Sequence, residues 1–552
     1  LTTTDQIEDP AAPRSPLGYR QFRELWSANA ASNFGSQVQV VGAGWLMASL
    51  THSPQLIALV QTAISLPTVL FILAGGALAD NYDRRAIMLT SQTAMLVTAV
   101  LLAVLTLTGL ISPWSLLALT FVISAFGSVN NPCWQASVRD ILPRDMISRA
   151  VALNSMSINL ARTAGPALGG LIVAAAGVAS AFVVNAVSFV AFIVALVRWT
   201  PIRKARTTPR ERILPAMAAG VRYASLAPNI RNAVIRGGLS GLSASAVFAL
   251  LPVVARQSMD GSALLYGLLL AAFGAGAIVS AWIGGRLRAR ATPDRVVGVA
   301  VIFLASGLAL LGLAKVAVVA GLAAALCGAG WVLAHSTYNT TVQLSAPAWV
   351  TARCLALYQT FTFAGMASGS WLFGWVAEHN GVSVALLIAA AGQAGGGVIG
   401  LLLPLPRLEN LRVDPLDQWR APTLEIEVDG DEGPVQVELE YRIQPEDAPA
   451  FLTAMKDRER IRRRDGAGGW ALWQDLGDAS RWIESYRVGT WADYLRHNAR
   501  RTEADRENVE LLRRLDADPD GPTVRRFIGR RRTTTAKPAA GRQSPDRGGS
   551  ST

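Results

Sequence analysis

Twelve apolar stretches, each close to the ~20 residues that a helix needs to cross hydrocarbon, dominate this chain. They fall at about 25–49, 55–79, 86–110, 114–134, 148–176, 181–199, 232–254, 264–285, 296–313, 317–336, 354–377 and 384–403. Backbone polar groups in lipid must be satisfied internally, so stretches of this length are read as transmembrane helices. Links such as Thr51-His52-Ser53-Pro54 and Ile111-Ser112-Pro113 are too short for anything but antiparallel neighbours. Composition agrees, since 51% hydrophobic and 16% charged residues are too apolar for a soluble chain of 552. The expected fold class is an all-α polytopic membrane protein. Its twelve transmembrane helices form two six-helix halves, with a C-terminal cytoplasmic α+β domain of ferredoxin-like type.

The net charge of +12 would suit nucleic acid, but its distribution gives another reason. Alternate loops carry the basic residues: Arg84/Arg85, then Arg139/Arg144/Arg149, then Arg198 to Arg212, then Arg286/Arg288/Arg290/Arg295, then Arg353. The loops between hold almost none, Arg256 and Lys315 being the exceptions. Basic loops stay in the cytoplasm, so both termini are expected there and no nucleic-acid partner is. The three cysteines, Cys133, Cys327 and Cys354, have neither disulfide nor metal-site spacing. Residues 1–19 are polar with three prolines and read as a disordered cytoplasmic leader, not a cleavable signal.

The membrane part repeats. VRDILPRDMISRAVAL (138–153) aligns with VQLSAPAWVTARCLAL (342–357) at a shift of 204, with Val138/Val342, Pro143/Pro347, Arg149/Arg353 and Leu153/Leu357 coinciding. Residues 20–199 and 229–403 are therefore the two bundles, joined by a basic cytoplasmic linker over 200–228 with a short amphipathic helix near Ile213 to Leu226. After Pro404 and Pro406 a soluble module is expected over 421–530. Strands are read at 435–443, 470–474, 481–488 and 523–528, and helices at 446–464 and 490–515, the β-α-β-β-α-β order of a ferredoxin-like sandwich. Such a sheet leaves one face open, so self-association is expected, with Trp470, Trp473 and Trp482 as candidates for that face. Residues 531–552 read as a disordered tail.

Between the second and third stretches lies GGALADNYDRR (75–85). A carboxylate and two guanidiniums are expensive in hydrocarbon, which puts the segment in a short interfacial loop where charges pin neighbouring helix ends. It resembles the signature loop of the major facilitator superfamily at Gly76, Leu78, Asp80, Arg84 and Arg85, with Asn81 and Asp83 replacing a basic residue and a glycine. Gly284 and Gly285 stand where a second such loop belongs, with Ala289 in place of the aspartate. The fifth helix carries Gly165-Pro166-x-x-Gly169-Gly170, which resembles the fifth-helix motif of superfamily exporters, with Ala161 at its upstream glycine position.

The candidate substrate cavity is drawn from polar residues that membrane helices keep away from lipid. Asn29, Asn33 and Gln37 recur every four residues on one face of the first helix, with Ser36 and Gly44 near it. Asn154 and Arg162 share an arc with Gly165 and Gly169 on the fifth. Arg236 shares a face with Ser240 and Ser243 on the seventh, nearer the cytoplasmic end. No Asp or Glu lies midway along any of the twelve stretches, which favours an anionic or neutral substrate. His335 reads as structural.

Chain and tail together are similar to the transmembrane secretion effector subgroup, which includes enterobactin-exporter-like proteins. Trp491 to Thr502 matches that subgroup's tail. The resemblance implies a proton-coupled antiporter that exports a small siderophore-, drug- or metabolite-like molecule across the cytoplasmic membrane by alternating access. No catalytic residues, cofactor or metal are expected, and no Walker A pattern is present to suggest ATP drive. The module over 421–530 resembles the dimeric α+β-barrel domains related to small monooxygenases; Trp491, His497 and Asn498 are of types used by haem-degrading members of that group but do not form a recognised catalytic set. The alternatives are a membrane-anchored small-molecule monooxygenase and a non-transporting receptor or scaffold of the same fold.

Overall fold

The computed structural model describes residues 15–143, 146–200, 213–347, 349–407, 422, 424–500, 502–519 and 521–530. The expectations for 1–14, for 201–212 of the linker and for the tail 531–552 lie outside these residues. The end of the leader is ordered, contrary to expectation. Pro16–Gly18 make a turn of 3-10 helix, Pro16 is buried, and Leu17 and Tyr19 pack beside Phe22 and Leu25. Apolar burial of these side chains outweighs the local prolines.

Helices occupy most of the chain: α1 (Arg20–Leu50), α2 (Pro54–Asn81), α3 (Arg84–Leu107), α4 (Pro113–Ile141), α5 (Ile147–Ala176), α6 (Val178–Arg198), α7 (Ile213–Leu226), α8 (Pro228–Val253), α9 (Ala263–Arg288), α10 (Pro293–Leu313), α11 (Ala317–Ser345), α12 (Thr351–Asn380) and α13 (Val382–Leu402). Their starts have local causes. Proline stands in the first turn of α2, α4 and α10, where its missing N–H costs nothing. Ser53 caps α2, and Ser112 with Ser115 forms a reciprocal capping box on α4. Among the described residues ten helices are long and apolar enough to cross a membrane: α2 to α6, α8 to α11, and α13. α1 and α12 are as long but more polar; α1 carries Arg20, Arg23, Glu24, Asn29, Asn33, Gln37 and Gln39.

The sequence repeat has a structural counterpart. Residues 138–153 span the turn from α4 into α5, and 342–357 span the turn from α11 into α12. α5 meets α6 through Gly177 (φ +80°), and α12 meets α13 through Gly381 (φ +89°), again 204 residues apart. A side chain at either would be strained, so both corners need glycine.

The segment 75–85 is not a loop. α2 continues to Asn81 and α3 begins at Arg84, leaving Tyr82 and Asp83 between them. Asp83 caps α3 by accepting from the Arg85 and Ala86 amides, which allows so tight a turn.

Two compact units divide the chain. The first comprises 1–214, 229–343 and 355–408; the second comprises 215–228, 344–354 and 409–552. The second therefore includes most of α7 and the α11–α12 turn, which by sequence belong to the linker and the second bundle. Its sheet has strands β1 (Val435–Arg442), β2 (Gly468–Gln474), β3 (Arg481–Val488) and β4 (Thr523–Ile528), ordered β2-β3-β1-β4 with antiparallel pairing throughout. Helix α14 (Ala448–Asp465) ends at Gly466, whose φ of +115° returns its N–H to the Arg462 and Arg463 carbonyls. The single helix expected over 490–515 is two, α15 (Trp491–Ala499) and α16 (Arg506–Leu515). Thr502 and Asp505 form a capping box that starts the second and so divides them.

Val437, Leu439 and Tyr441 of β1 face Tyr486, Glu484 and Trp482 of β3 across the buried side of the sheet. Trp482 is thus a core residue and Trp470 bonds Glu484, so of the three tryptophans expected on an open face only Trp473 is strongly exposed. Glu484 is fully buried. It accepts from Arg462 Nε at 2.9 Å, Tyr441 OH at 3.1 Å and Trp470 Nε1 at 3.1 Å, with Arg458 Nε 3.7 Å away. Burial alone would push its carboxyl up; the Arg462 and Arg458 charges and the bonds from Arg462 and Trp470 outweigh this and hold it at about 2. At another edge of the unit, Arg464 pairs with Asp465 and Asp505 and lies over the Tyr223 ring at 5.2 Å. Arg500 lies over Trp349 at 4.0 Å, and Trp349 meets Tyr223 edge to face at 5.5 Å.

Candidate functional site

The fifth-helix glycines set how closely α5 approaches its neighbours. A Cβ on Gly165 would come within 2.6 Å of Gln37 Cβ on α1, and one on Gly169 within 3.1 Å of Val38 Cα. Gly170 meets Gly267 of α9, where a Cβ would stand 2.7 Å from the opposing Cα. Farther along, Thr163 packs on Gly274 of α9. α5, with Pro166 inside it, is therefore clasped between α1 and α9 at near backbone-to-backbone distance.

The polar residues of α1 and α5 meet only in part. Asn29 Nδ2 donates to Asn154 Oδ1 at 3.4 Å, and Trp134 Nε1 of α4 donates to the same oxygen at 3.1 Å. Asn33 is half-buried and its Nδ2 makes no hydrogen bond among the described residues. Gln37 serves as the packing surface for Gly165. Arg162 stands midway along α5 with an exposed side chain. It makes no hydrogen bond or ion pair with any described residue.

Arg236 does not join them. It is buried and committed elsewhere, with Nη1 on Asp294 Oδ1 at 2.5 Å and on the carbonyls of Leu403 and Gly400 at 3.0 and 3.3 Å. Asp294 opens α10 and also accepts from the Leu405 amide, so one carboxylate ties together α8, α10 and the end of α13. A guanidinium held in this way is structural, and its expected place in the substrate cavity is corrected.

In the segment 75–85 the arginines pin helix ends. Arg84 Nη1 bonds Asp140 at 2.7 Å and the Ala136 carbonyl at 3.2 Å, both on α4. Arg85 bonds the Leu196 and Val197 carbonyls at the end of α6 at 2.9 and 2.7 Å. Close approach is made by Gly75, where a Cβ would stand 3.0 Å from Val129 Cα, while Gly76 has open space around it. Asp80 is the penultimate residue of α2; its side chain lies outside the described residues.

Two other polar contacts have partners that the sequence reading did not supply. Asn185 of α6 donates to Gln39 of α1, and both are buried. His335 stacks on Trp331 with ring centroids 5.3 Å apart, and its Nδ1 is 2.8 Å from the Tyr358 hydroxyl of α12. An amide or ring nitrogen within an apolar helix is the signal that could have found each. In the second unit His497 is buried against Arg462, and Asn498 donates to the Tyr494 carbonyl. Trp491 stacks on Tyr494 at 5.0 Å.

The family described as transmembrane secretion effector matches residues 11–534, helical body and C-terminal module alike. An uncharacterised transporter of major facilitator type, YfiS of Bacillus subtilis (strain 168), is 27% identical over 68% of this chain and 92% of its own. The enterobactin exporter EntS of Escherichia coli (strain K12) is 28% identical over 66% of this chain and 87% of its own. Among solved structures, a bacterial homolog of the human lysosomal transporter Spinster, inward-facing and unoccupied, aligns with TM-score 0.55 at 12% identity, covering 71% of this chain and 96% of that one. The POT family transporter PepTSo aligns with TM-score 0.56 at 14% identity, covering 71% and 98%. At these identities the two structures speak for the fold alone.

Proposed function

We propose, from the premise that the chain belongs to the transmembrane secretion effector family of major facilitator transporters, that it exports a small anionic molecule across the cytoplasmic membrane by alternating access. The observation that carries this is Arg162, an exposed guanidinium midway along a membrane-length helix, without a protein partner among the described residues. A cation there costs roughly 2.5–3.5 kcal/mol on the insertion scale. An acidic substrate would offset that cost, and the planar fork of Arg binds a carboxylate or sulfonate through paired hydrogen bonds. Asn29, Asn33, Gln37 and Asn154 line the same α1–α5 region, and Gly165, Pro166, Gly169 and Gly170 let α5 move against α1 and α9 at close range.

In this reading twelve helices span the bilayer with both termini cytoplasmic, and Gly76, Asp80, Arg84 and Arg85 form a gating segment. The C-terminal module is ferredoxin-like; its strand order and antiparallel pairing support that assignment. Coupling to protons belongs to the same proposal.

The test is transport by the reconstituted full chain. Export of naphthalenedisulfonate should fall from wild type to Arg162→Lys to Arg162→Ala, the last by about tenfold or more, since one lost charged hydrogen bond is worth about 1.5–3 kcal/mol. Ethidium, a cation, is the contrast. A wild type that exports ethidium equally well, unchanged in a stable Arg162→Ala, refutes the anion reading.

A further inference from the structure

We infer that the C-terminal module is a brace for the second helical half: it holds the end of α11 and the start of α12, where the first half uses the Arg84–Asp140 pair. Comparison of the two repeats points to it. α10 is the third helix of its half, as α3 is of the first. α3 opens with Arg84 and Arg85, and α10 opens with Pro293 and Asp294. Asp294 takes the place of Arg85. Arg85 binds the last carbonyls of α6, and Asp294 binds the end of α13 through the Leu405 amide and through Arg236. Arg84 has no such counterpart. Proline carries no charge, and at the shift of 204 the position of Asp140 is held by Leu344, 46% exposed. Arg288 bonds Ser336 at 3.0 Å, but within α11 rather than at its end.

The turn that lacks the pair carries something else. Residues 344–354 form one compact unit with the module and with 215–228, which hold most of α7. Where the first repeat has Asp145 the second has Trp349. Arg500 covers the Trp349 ring at 4.0 Å, and the ring meets Tyr223 of α7 edge to face. Arg464 in turn lies over Tyr223. Arg353, which matches Arg149, packs on Gly220 of α7, where a Cβ would stand 2.7 Å from the Arg353 Cβ. Tyr223, Val350 and Cys354 are buried. α7 runs into α8 with only Ala227 between them, so these contacts join the openings of α8 and α12.

Both arginines are held from the module side. Arg464 bonds the two oxygens of Asp465 at 2.8 and 3.1 Å and those of Asp505 at 3.1 and 2.8 Å. Asp505 is itself fixed by the Thr502 amide and hydroxyl, both at 2.9 Å. Arg500 Nη1 reaches the Asp465 carbonyl at 3.5 Å. The capping box that separates α15 from α16 thus also aims a cation. A planar guanidinium already hydrogen-bonded in place gives up little freedom when a ring docks on it, and a cation–π contact is strongest away from water. The module is therefore a preset clasp. Its consequence for transport rests on the alternating-access reading above: if the halves turn against each other as bodies, a half whose α8 and α12 openings are clasped turns as one piece.

The test is hydrogen exchange of the full chain in detergent, read on peptides from 215–226 and 344–354. Trp349→Ala and Arg500→Ala should each speed exchange there by about tenfold or more, and leave β1 and β3 as protected as in wild type. Combined, they should add little, since they remove one contact. Pro293→Arg with Leu344→Asp, which gives the second half the first half's pair, should return 344–354 in Trp349→Ala to within about threefold of wild type. Exchange unchanged in both single variants, or a transplanted pair that leaves Trp349→Ala as open as before, overturns the brace. In proteoliposomes Arg500→Ala should lower kcat for naphthalenedisulfonate by about threefold or more, with KM within about twofold of wild type. An unchanged kcat overturns the role in transport. A wild type that exports no naphthalenedisulfonate overturns the anion reading and leaves the brace standing, because exchange is read without substrate.

Discussion

Helices α5 and α12 can be laid over one another at the shift of 204, and three of their glycines then coincide. Gly165 matches Gly369, Gly170 matches Gly374, and the closing Gly177 matches Gly381. Gly165 faces α1 through Gln37, and Gly369 faces α8 through Leu242. Gly170 faces Gly267 of α9, and Gly374 faces Ala58 of α2. At the midpoint they part: Arg162 in α5 stands where α12 has Met366, which is buried. A thioether fits that environment without desolvating a charge, so the fold has no need of a guanidinium there. What the two helices share is architecture. Where they differ, one half carries something that packing does not ask for.

That comparison depends on what a buried charge costs with and without a partner, and Glu484 sets the upper end of the scale. Its carboxyl is held at about 2 against 4.5 ordinarily. A group with a depressed value contributes stability that is complete above about pH 4.5 and is lost as pH falls toward 2. The second unit should therefore lose about 3 kcal/mol across that window, followed by near-ultraviolet dichroism of the full chain. Glu484→Gln should show the loss at neutral pH and no further acid step there. A Glu484→Gln protein as stable as wild type would mean that Arg458 and Arg462 need no counter-charge, and the contrast between partnered and bare arginines would lose its meaning.

The next effect is smaller because Asp294 is 38% exposed. Arg236→Ala should cost about 2 kcal/mol, less than a fully buried pair, seen as a lower thermal midpoint in detergent. Arg162→Ala in the same assay should lie within about 0.5 kcal/mol of wild type. Equal losses for the two would break the distinction between a structural and a functional arginine.

The smallest expected difference, that between two matched glycines, tests the shared architecture. Gly170→Ala and Gly374→Ala should each cost about 1–3 kcal/mol by overpacking, and by similar amounts, since the opposing atoms stand 2.7 and 2.6 Å from the added carbon. Gly76→Ala, with open space around it, should be neutral within about 0.5 kcal/mol. A gap of more than about 1 kcal/mol between the first two would show that the repeats are no longer equivalent in packing.

Much of this was legible in the chain. Apolar length fixes where helices lie, and the repeat fixes which helices correspond. Asn29 and Asn154, each read as a polar residue on an apolar helix, hydrogen-bond one another. Partners across the fold were not. The spacing within α8 marks Arg236 as polar on an apolar helix, but Asp294 lies 58 residues away and is set by packing alone. The charges of 75–85 suggested a loop because charge is costly in hydrocarbon, yet a capping aspartate lets helices run to within two residues of each other. Trp482 went to the wrong face because strand register cannot be read without the partner strands.

The second unit's three segments leave the ribosome in an order that separates residues which later touch. Tyr223 and Trp349 are synthesised well before Arg464 and Arg500, which cover their rings. From residue 354 to the last strand at Ile528, translation at 5–20 residues per second takes roughly 10–35 s. For that interval two aromatic rings wait uncovered, and they are enclosed only when synthesis has passed β4. A ribosome stalled within the module leaves a chain whose membrane-length helices are complete but whose rings are bare to chaperones and proteases.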